Sequence, residues 1–293
     1  MSVLLHPDYP APSWPAPPSW AVTGRAADPE DAAFRAGMAL AHLHGVKTQP
    51  GLTLALWRDR LALEAAAATV RVSGRSEGLV ELRDALHLGR PGDPLGPAGE
   101  IGQVWRRAVT RPLTARGLAP LPGVALEEIR RELARPGAAI ARAAATLETV
   151  LAEAPRAEAA ALILADAALA RALGWERIVP LLAAGLSPRD LRRERDELRL
   201  ACHQAVVRAA TRAAGLAQDL TQRAARLHAV APKLRAKRAE AALKLFLAQD
   251  ALTPTALTNL MSGRAARRLC DRLVALGALR ELTGRDSFRL YGL

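Results

Sequence analysis

The C-terminal segment, residues 233–293, limits most strongly what this chain can fold into. After one helical stretch, a short helix begins at Thr253 and a basic helix runs from Ser262 to Gly277. Two strand-like stretches then flank a turn around Gly284. Three helices followed by a β-hairpin, with the third helix basic, are typical of a winged helix-turn-helix, a module that commonly contacts nucleic acid.

The basic helix of this segment has two opposite faces. Apolar residues recur every three or four positions and form one stripe, which consists of Ala266, Leu269, Leu273 and Leu276. Because successive helical residues are about 100° apart, most of the arginines fall on the other side. Asp271 shares that side, where it could pair with Arg267 and Arg268 and weaken their effect. The predicted DNA-binding residues of the helix and the hairpin are Arg264, Arg267, Arg268, Arg272, Arg285 and Arg289.

Positive charge is concentrated in the same segment. The whole chain has 41 basic and 29 acidic residues, a net charge of +12. Residues 233–293 hold 12 of the basic and 5 of the acidic residues, so about a fifth of the chain carries +7. This excess fits an anionic partner. Part of it reflects composition, because 37 of the basic residues are arginine in a chain that is also rich in alanine, glycine and proline, as GC-rich genomes produce.

The rest of the chain has a helical composition. Half of all residues are apolar but only 3% are aromatic, and abundant alanine favours close-packed helices over sheets. We predict a mainly α protein with a proline-rich N-terminal tail (1–24), a multi-helix body (25–232) and a C-terminal winged helix-turn-helix with a small β-hairpin wing (233–293). Within the tail, we expect Trp14 or Trp20 to dock on the body.

Individual helices of the body are predicted from apolar periodicity and from their start and stop residues. Asp28-Pro29 begins the first helix, which we expect to end near Gly45. Further helices are expected at about 54–72, 76–88, 124–134, 137–153, 156–173 and 176–184, with one around Trp105 and a long helical pattern from Ser187 to Val230 that breaks once near 193–195.

The sequence contains no catalytic, cofactor or metal motif that we can identify. Cys202 and Cys270 have neither metal-ligand nor disulfide spacing, which fits a reducing compartment. Asp84 and His87 share a helix face, and this spacing favours a surface hydrogen bond over an acid–base pair. The chain begins without a signal-peptide pattern and has no apolar run long enough to span a membrane. We therefore expect a cytoplasmic protein with no cofactor, no bound metal and no membrane partner.

Four stretches of the sequence resemble the proteobacterial family catalogued as domain of unknown function 1403. They lie at Asp28–Gly37, Glu81–Leu88, Ala231–Lys237 and Arg280–Leu293. The resemblance covers nearly the whole chain. It implies no mechanism, since that family has no assigned activity.

A weaker resemblance connects the chain to the non-catalytic parts of Fic-type proteins and of plasmid-borne helix-turn-helix proteins. Residues 64–74 are similar to the segment where Fic proteins often carry an inhibitory motif, but Ser73 stands in place of its glutamate. The His-Pro-Phe and Gly-Asn-Gly-Arg catalytic loop of Fic proteins is absent from the sequence. The chain therefore has no residues for nucleotidyl transfer.

These observations favour a DNA-binding protein, a transcriptional regulator whose body forms a homodimer or senses a signal. The alternative is a helical interaction or scaffold protein whose winged helix only packs internally. An enzyme of unrecognised type is the third hypothesis.

Overall fold

The computed structural model describes residues 15–24, 26–89, 92–234 and 238–293. The protein is mainly helical, as its composition predicts, with one two-stranded antiparallel sheet among these residues. The helices of the first half are α1 (Ser19–Val22), α2 (Pro29–Lys47), α3 (Leu54–Val72), α4 (Leu79–His87), α5 (Gly96–Thr110), α6 (Ala115–Leu118) and α7 (Leu126–Ala134). The second half contains α8 (Ala139–Glu153), α9 (Glu158–Ala172), α10 (Leu182–Gly185), α11 (Arg195–Val230), α12 (Ala239–Phe246) and α13 (Gly263–Ala275), followed by β1 (Arg280–Glu281) and β2 (Tyr291–Gly292).

Helix α2 begins where the sequence predicts and ends later. The Asp28 carboxylate accepts a hydrogen bond from the Asp31 N–H at 2.8 Å, and Pro29 occupies the first helical position. The expected stop at Gly45 is wrong, because α2 continues to Lys47. A glycine inside a helix costs only about 1 kcal/mol, and the extra turn buries Val46 in the core.

The helix expected at 176–184 is largely wrong, since only residues 182–185 are helical. Pro180 disfavours the helical conformation at the residue before it. The buried carboxylate of Asp166 then accepts hydrogen bonds from the N–H groups of Leu181, Leu182 and Ala183, at 3.0, 2.8 and 3.2 Å. These bonds begin a new short helix, α10, instead of continuing an earlier one.

The core of the body lies around α3 and α9, whose sides are buried almost all the way round. Helix α9 packs on α8, α3 packs on α5, and the long α11 packs along α2. Two buried tryptophans form hydrogen bonds between these helices. The indole N–H of Trp57 donates to the Ala213 carbonyl, and that of Trp105 donates to the Thr69 hydroxyl, each at 2.9 Å. Helix α11 begins at Arg195, where the sequence predicts a break.

The described part of the N-terminal tail lies against α2. Trp20 stacks on Phe34 with ring centroids 6.1 Å apart, and His42 Nε2–H donates to the Pro15 carbonyl at 3.0 Å. Trp20 therefore contacts the body through Phe34, although its side chain stays 54% exposed. Trp14 and most of the predicted proline-rich tail lie outside the described residues.

The C-terminal elements pack on the body rather than standing apart. Phe246, Leu257 and Leu273 are fully buried, and they belong to the same continuous apolar core as the helices of the body. Residues 235–237 of the predicted junction lie outside the described residues. None of the helices in the described part of the chain has the length and apolar character needed to cross a membrane.

Candidate nucleic-acid interface

Helix α13 forms as its sequence predicts. The Ser262 hydroxyl accepts a hydrogen bond from the Ala265 N–H at 3.3 Å and caps the N-terminus. Beyond the other end, Gly277 adopts a φ of +66°, a conformation that glycine tolerates best. The inner face buries Ala266, Leu269, Cys270 and Leu273. Leu276, expected in the same stripe, is only half-buried because it lies just past the end of the helix.

The outer face of α13 is exposed and basic. Arg264 and Arg267 lie in its first two turns, and Arg268 and Arg272 continue the exposed surface. Among the described residues, none of these four arginines is within 4.0 Å of a carboxylate oxygen in an ion pair. The structure therefore brings four of the six predicted site residues together on one solvent-facing helix side.

Asp271, the acid on this face, is held by a different residue. The Tyr291 hydroxyl lies 3.4 Å from an Asp271 carboxylate oxygen and donates a hydrogen bond to it. No ion pair between Asp271 and Arg267 or Arg268 is present in the described part of the chain. Burial raises the pKa of the neighbouring Cys270 thiol to about 12, so this cysteine is an apolar core residue rather than a reactive one.

The hairpin after α13 is closed by one glutamate. Arg280 pairs with Gly292 and Glu281 with Tyr291 in antiparallel register. The Glu281 carboxylate accepts hydrogen bonds from the Thr283 N–H at 2.8 Å and from the Gly284 N–H at 2.7 Å. Burial alone would raise the pKa of Glu281, but a hydrogen bond from the Thr283 hydroxyl, together with these two backbone bonds, outweighs burial and lowers it. The result is a tight turn at residues 281–284, at the start of the loop that returns to β2.

The two predicted site residues on the hairpin each have an acidic partner. Arg285 Nη2 lies 2.7 Å from Asp84 of α4, which joins the loop to the body. Arg289 Nη2 lies 3.4 Å from the neighbouring Asp286. The expected hydrogen bond of Asp84 to His87 thus gives way to an ion pair with Arg285, because a guanidinium is the stronger partner for a carboxylate. Arg285 and Arg289 are therefore less available for phosphate than the arginines of α13.

A buried charged cluster joins the C-terminal elements to the body, and the sequence interpretation misses it. We call it the seam; it consists of Asp59, Arg60, Arg83, Arg106 and Asp250. Arg106 Nε donates to the Asp59 carboxylate at 2.7 Å, and the Asp250 N–H donates to the same carboxylate at 2.9 Å. Arg83 Nε donates to the Asp250 carboxylate at 2.6 Å, and Arg60 forms an ion pair with it.

The seam excludes water almost completely from its acids. Asp250 is 1% exposed and Asp59 is 5% exposed. Burial would raise the pKa of Asp250, but the positive charges of Arg60 and Arg83 overcome this and lower it. Burial, with a further contribution from Arg106, lowers the pKa of the adjacent His87 to about 4. The cluster therefore places two buried carboxylates against three partly exposed arginines, next to a histidine whose lowered pKa favours its neutral form.

One signal in the sequence could have revealed half of the seam. Leu56, Leu63 and Ala67 form an apolar stripe along α3, and Asp59 falls inside that stripe. A carboxylate on a buried helix face needs a partner. The partner itself was not identifiable, since nothing in the sequence connects Asp59 to Asp250 across 191 residues.

The described residues contain no cluster of histidine, cysteine and acidic side chains arranged to hold a metal ion. The chain belongs to the family described as "Protein of unknown function (DUF1403)", whose model matches residues 10–293, in agreement with the resemblance seen in the sequence. A comparison with curated proteins gives no match.

Proposed function

We propose that this protein binds DNA through the arginine face of α13, with residues 238–293 acting as a winged helix-turn-helix and β1 and β2 as the base of the wing. The observation that carries the proposal is the set of exposed arginines on that face, which have no carboxylate partner among the residues that the structure describes. An arginine that is not engaged by an acid can donate two parallel hydrogen bonds to a phosphate or to a guanine edge.

The arrangement of α13 supports this use. In helix-turn-helix proteins the N-terminal half of the last helix contacts base edges, and Arg264 and Arg267 lie in that half. The opposite side of α13 is anchored in the core by Leu269 and Leu273. The arginine face can therefore meet a groove without loss of packing.

As the biological role we propose cytoplasmic transcriptional regulation, with the helical body forming a homodimer. Counterion release distinguishes one bound module from two. If all four arginines contact phosphates, the log–log salt slope is about −3.6 for a monomer and about −7.2 for a dimer, at about −0.9 per phosphate, and each arginine that contacts a base edge instead makes it shallower.

A second candidate function is a helical scaffold in which the C-terminal elements only pack on the body. Two observations favour it: the ion pair of Arg285 with Asp84, and the single continuous core that joins the C-terminal elements to the body. Both features are compatible with an α13 face that contacts no nucleic acid.

The deciding experiment is a fluorescence-anisotropy titration of the full chain with duplex DNA from upstream of its own gene and with a random duplex. Arg267→Ala plus Arg268→Ala should weaken binding at least about tenfold and make the salt slope shallower by roughly two units for each bound chain, hence by roughly four units for a dimer. The matched control is Arg189→Ala plus Arg192→Ala, which removes the same charge from exposed arginines of the body. The control should bind like the wild type.

Three results separate the candidates. Loss of binding in the α13 double variant alone supports the proposal. Equal weakening in both double variants would mean that net charge, and not this face, attracts DNA. No binding of the wild type at low salt would favour the scaffold.

A further inference from the structure

A second group of basic side chains lies in the helical body, around the turn that follows α9. We call it the body patch; it consists of Lys47, Arg58, Arg142, Arg171 and Arg177. Gly174 follows the end of α9 with a φ of +66°, and its N–H donates to the Arg171 carbonyl at 3.2 Å. Helices α2, α3 and α8 supply three of the basic residues, each near one end of its helix.

Trp175 connects the two sides of the body patch. Its side chain is buried, and its indole N–H donates to His44 Nδ1 at 3.0 Å. The Lys47 ammonium of α2 lies 5.3 Å from the centre of the Trp175 ring. Arg142 of α8 and Arg171 of α9 line one surface depression together with the same tryptophan. A single buried side chain therefore adjoins basic residues from three helices.

Two guanidinium groups of the patch are held by backbone carbonyls. Arg142 Nη2 donates to the Leu133 carbonyl at 2.8 Å, and Arg177 donates to the Thr110 carbonyl at the end of α5. Arg171, in contrast, is exposed, and its side chain makes no hydrogen bond within the described part of the chain. The patch therefore combines fixed positive charges with side chains that are free to bind.

The positive charges of the body patch are not paired with acids. Among the residues that the structure describes, none of the five cations is within 4.0 Å of a carboxylate oxygen in an ion pair. Burial, with a contribution from Arg58, lowers the pKa of Lys47, and burial with a contribution from Arg177 lowers the pKa of Arg58. Glu176 of the same turn opposes both shifts, but it is exposed. Partly buried charges of one sign that repel each other cost free energy, and a bound anion would reduce this cost.

The surroundings of the patch favour a nucleic-acid backbone as that anion. Four of the five residues are arginine, whose guanidinium matches the oxygens of a phosphate. The patch borders the C-terminal elements, since Arg58 directly precedes Asp59, whose carboxylate accepts the Asp250 N–H at 2.9 Å. In the described part of the chain, no exposed large apolar side chain lines the depression between Arg142 and Arg171, whereas surfaces that bind membranes combine basic residues with such groups.

We propose that the body patch binds the phosphate backbone of duplex DNA beside the segment that α13 contacts. The inference rests on the proposed function, because α13 determines which part of the duplex lies next to the patch. Lys47 and Arg171 supply the contacts, since neither side chain makes a hydrogen bond to another described residue. Contacts to phosphates carry no sequence information, so the patch adds affinity without changing sequence preference.

The test measures binding of the full chain to two duplexes by fluorescence anisotropy. The short duplex, of roughly 12 base pairs or a little more than one helical turn, is the part of the upstream DNA that the wild type binds most tightly. The long duplex, of roughly 36 base pairs, contains the same sequence at its centre. Lys47→Ala plus Arg171→Ala should weaken binding to the long duplex about tenfold and make its salt slope shallower by roughly two units for each bound chain, with binding to the short duplex unchanged.

Arg189→Ala plus Arg192→Ala is again the matched control, because it removes the same charge from exposed residues outside the patch. Wild-type affinity of the patch variant for the long duplex would overturn the proposal, and so would equal weakening in the control. Loss of binding to phosphatidylglycerol vesicles in the patch variant, with unchanged DNA binding, would identify a membrane as the partner instead.

Urea denaturation tests for a structural role of the patch. The unfolding free energy of the Lys47→Ala plus Arg171→Ala variant should not fall, because the removed charges have no acid partner in the described part of the chain. A fall that accompanies the lost binding would contradict the proposal. The proposed function fails separately, if Arg267→Ala plus Arg268→Ala leaves binding to the short duplex unchanged.

Discussion

Two groups of arginines in this protein have opposite environments. Arg60, Arg83 and Arg106 of the seam lie 13 to 28% exposed, each against a buried carboxylate. The arginines of α13 are exposed, and no carboxylate pairs with them in the described part of the chain. The seam arginines are committed to internal structure, whereas those of α13 remain available to an external anion.

The difference shows why total charge is a poor guide to function in an arginine-rich chain. A guanidinium in the seam contributes to net charge as much as one on α13, yet its hydrogen bonds are already used. Exposure and the presence of an acidic partner decide which arginines can bind an anion. Arg285 lies between the two groups, because it is 44% exposed but paired with Asp84.

The largest effect is expected in the seam. Asp250→Ala would leave Arg60 and Arg83 buried without their carboxylate, and removal of one partner of a buried ion pair costs about 3–5 kcal/mol. Urea denaturation followed by circular dichroism measures the loss in the free energy of unfolding. Asp286→Ala, which removes an exposed acid, is the control and should change stability by less than about 0.5 kcal/mol. A loss at Asp250 as small as in the control would mean that the seam does not fasten the C-terminal elements.

The next effect concerns pH. Since the pKa of His87 is lowered from 6.5 to about 4 in the folded chain, the unfolded chain binds more protons between these values. Stability from the neutral histidine is present above pH 6.5 and is lost as the pH falls towards 4, by at most roughly 3 kcal/mol. His87→Gln should remove this part of the pH dependence when unfolding free energies are compared at pH 7 and pH 4.5.

Comparing the pH dependence of the unfolding free energy in the wild type and in His87→Gln separates the effect of this histidine from that of the other titratable groups nearby. Burial raises the pKa of Glu64, so this residue stabilises the folded state as the pH falls, opposite to the effect of His87. The contribution of Glu64 is the same in both proteins and cancels in the comparison. Asp250, with a lowered pKa, titrates below this window. Parallel pH profiles for the two proteins would mean that His87 is not buried in neutral form.

These two environments differ in how far the sequence predicts them. The capping Ser262, the apolar stripe and Gly277 are all local, so α13 and its exposed arginines follow from residues within one helix. The seam depends on contacts across most of the chain, and with 37 arginines present no local pattern selects Arg60, Arg83 and Arg106 as partners. The helix expected at 176–184 fails for a related reason, because the distant Asp166 determines where helix α10 begins.

A smaller effect is expected at Arg285. Its exposed ion pair with Asp84 contributes no more than about 1 kcal/mol, so Arg285→Ala should barely change the unfolding free energy. If the wing contacts the DNA backbone, Asp84→Asn should release Arg285 and steepen the salt slope of DNA binding by up to about one unit. An unchanged slope in Asp84→Asn would place Arg285 with the seam arginines, as a residue that fastens the loop to the body.

The smallest effect on stability is expected on α13 itself. Arg267 and Arg268 lie on the exposed side of the helix, opposite Leu269 and Leu273 in the core. Their replacement by alanine removes no buried contact, and alanine has a slightly higher helix propensity. The unfolding free energy of the double variant should therefore stay within about 0.5 kcal/mol of the wild type in urea, while its DNA binding falls. A loss of several kcal/mol would show that these arginines, like those of the seam, support the fold, and any weakening of DNA binding would then reflect unfolding rather than a lost contact.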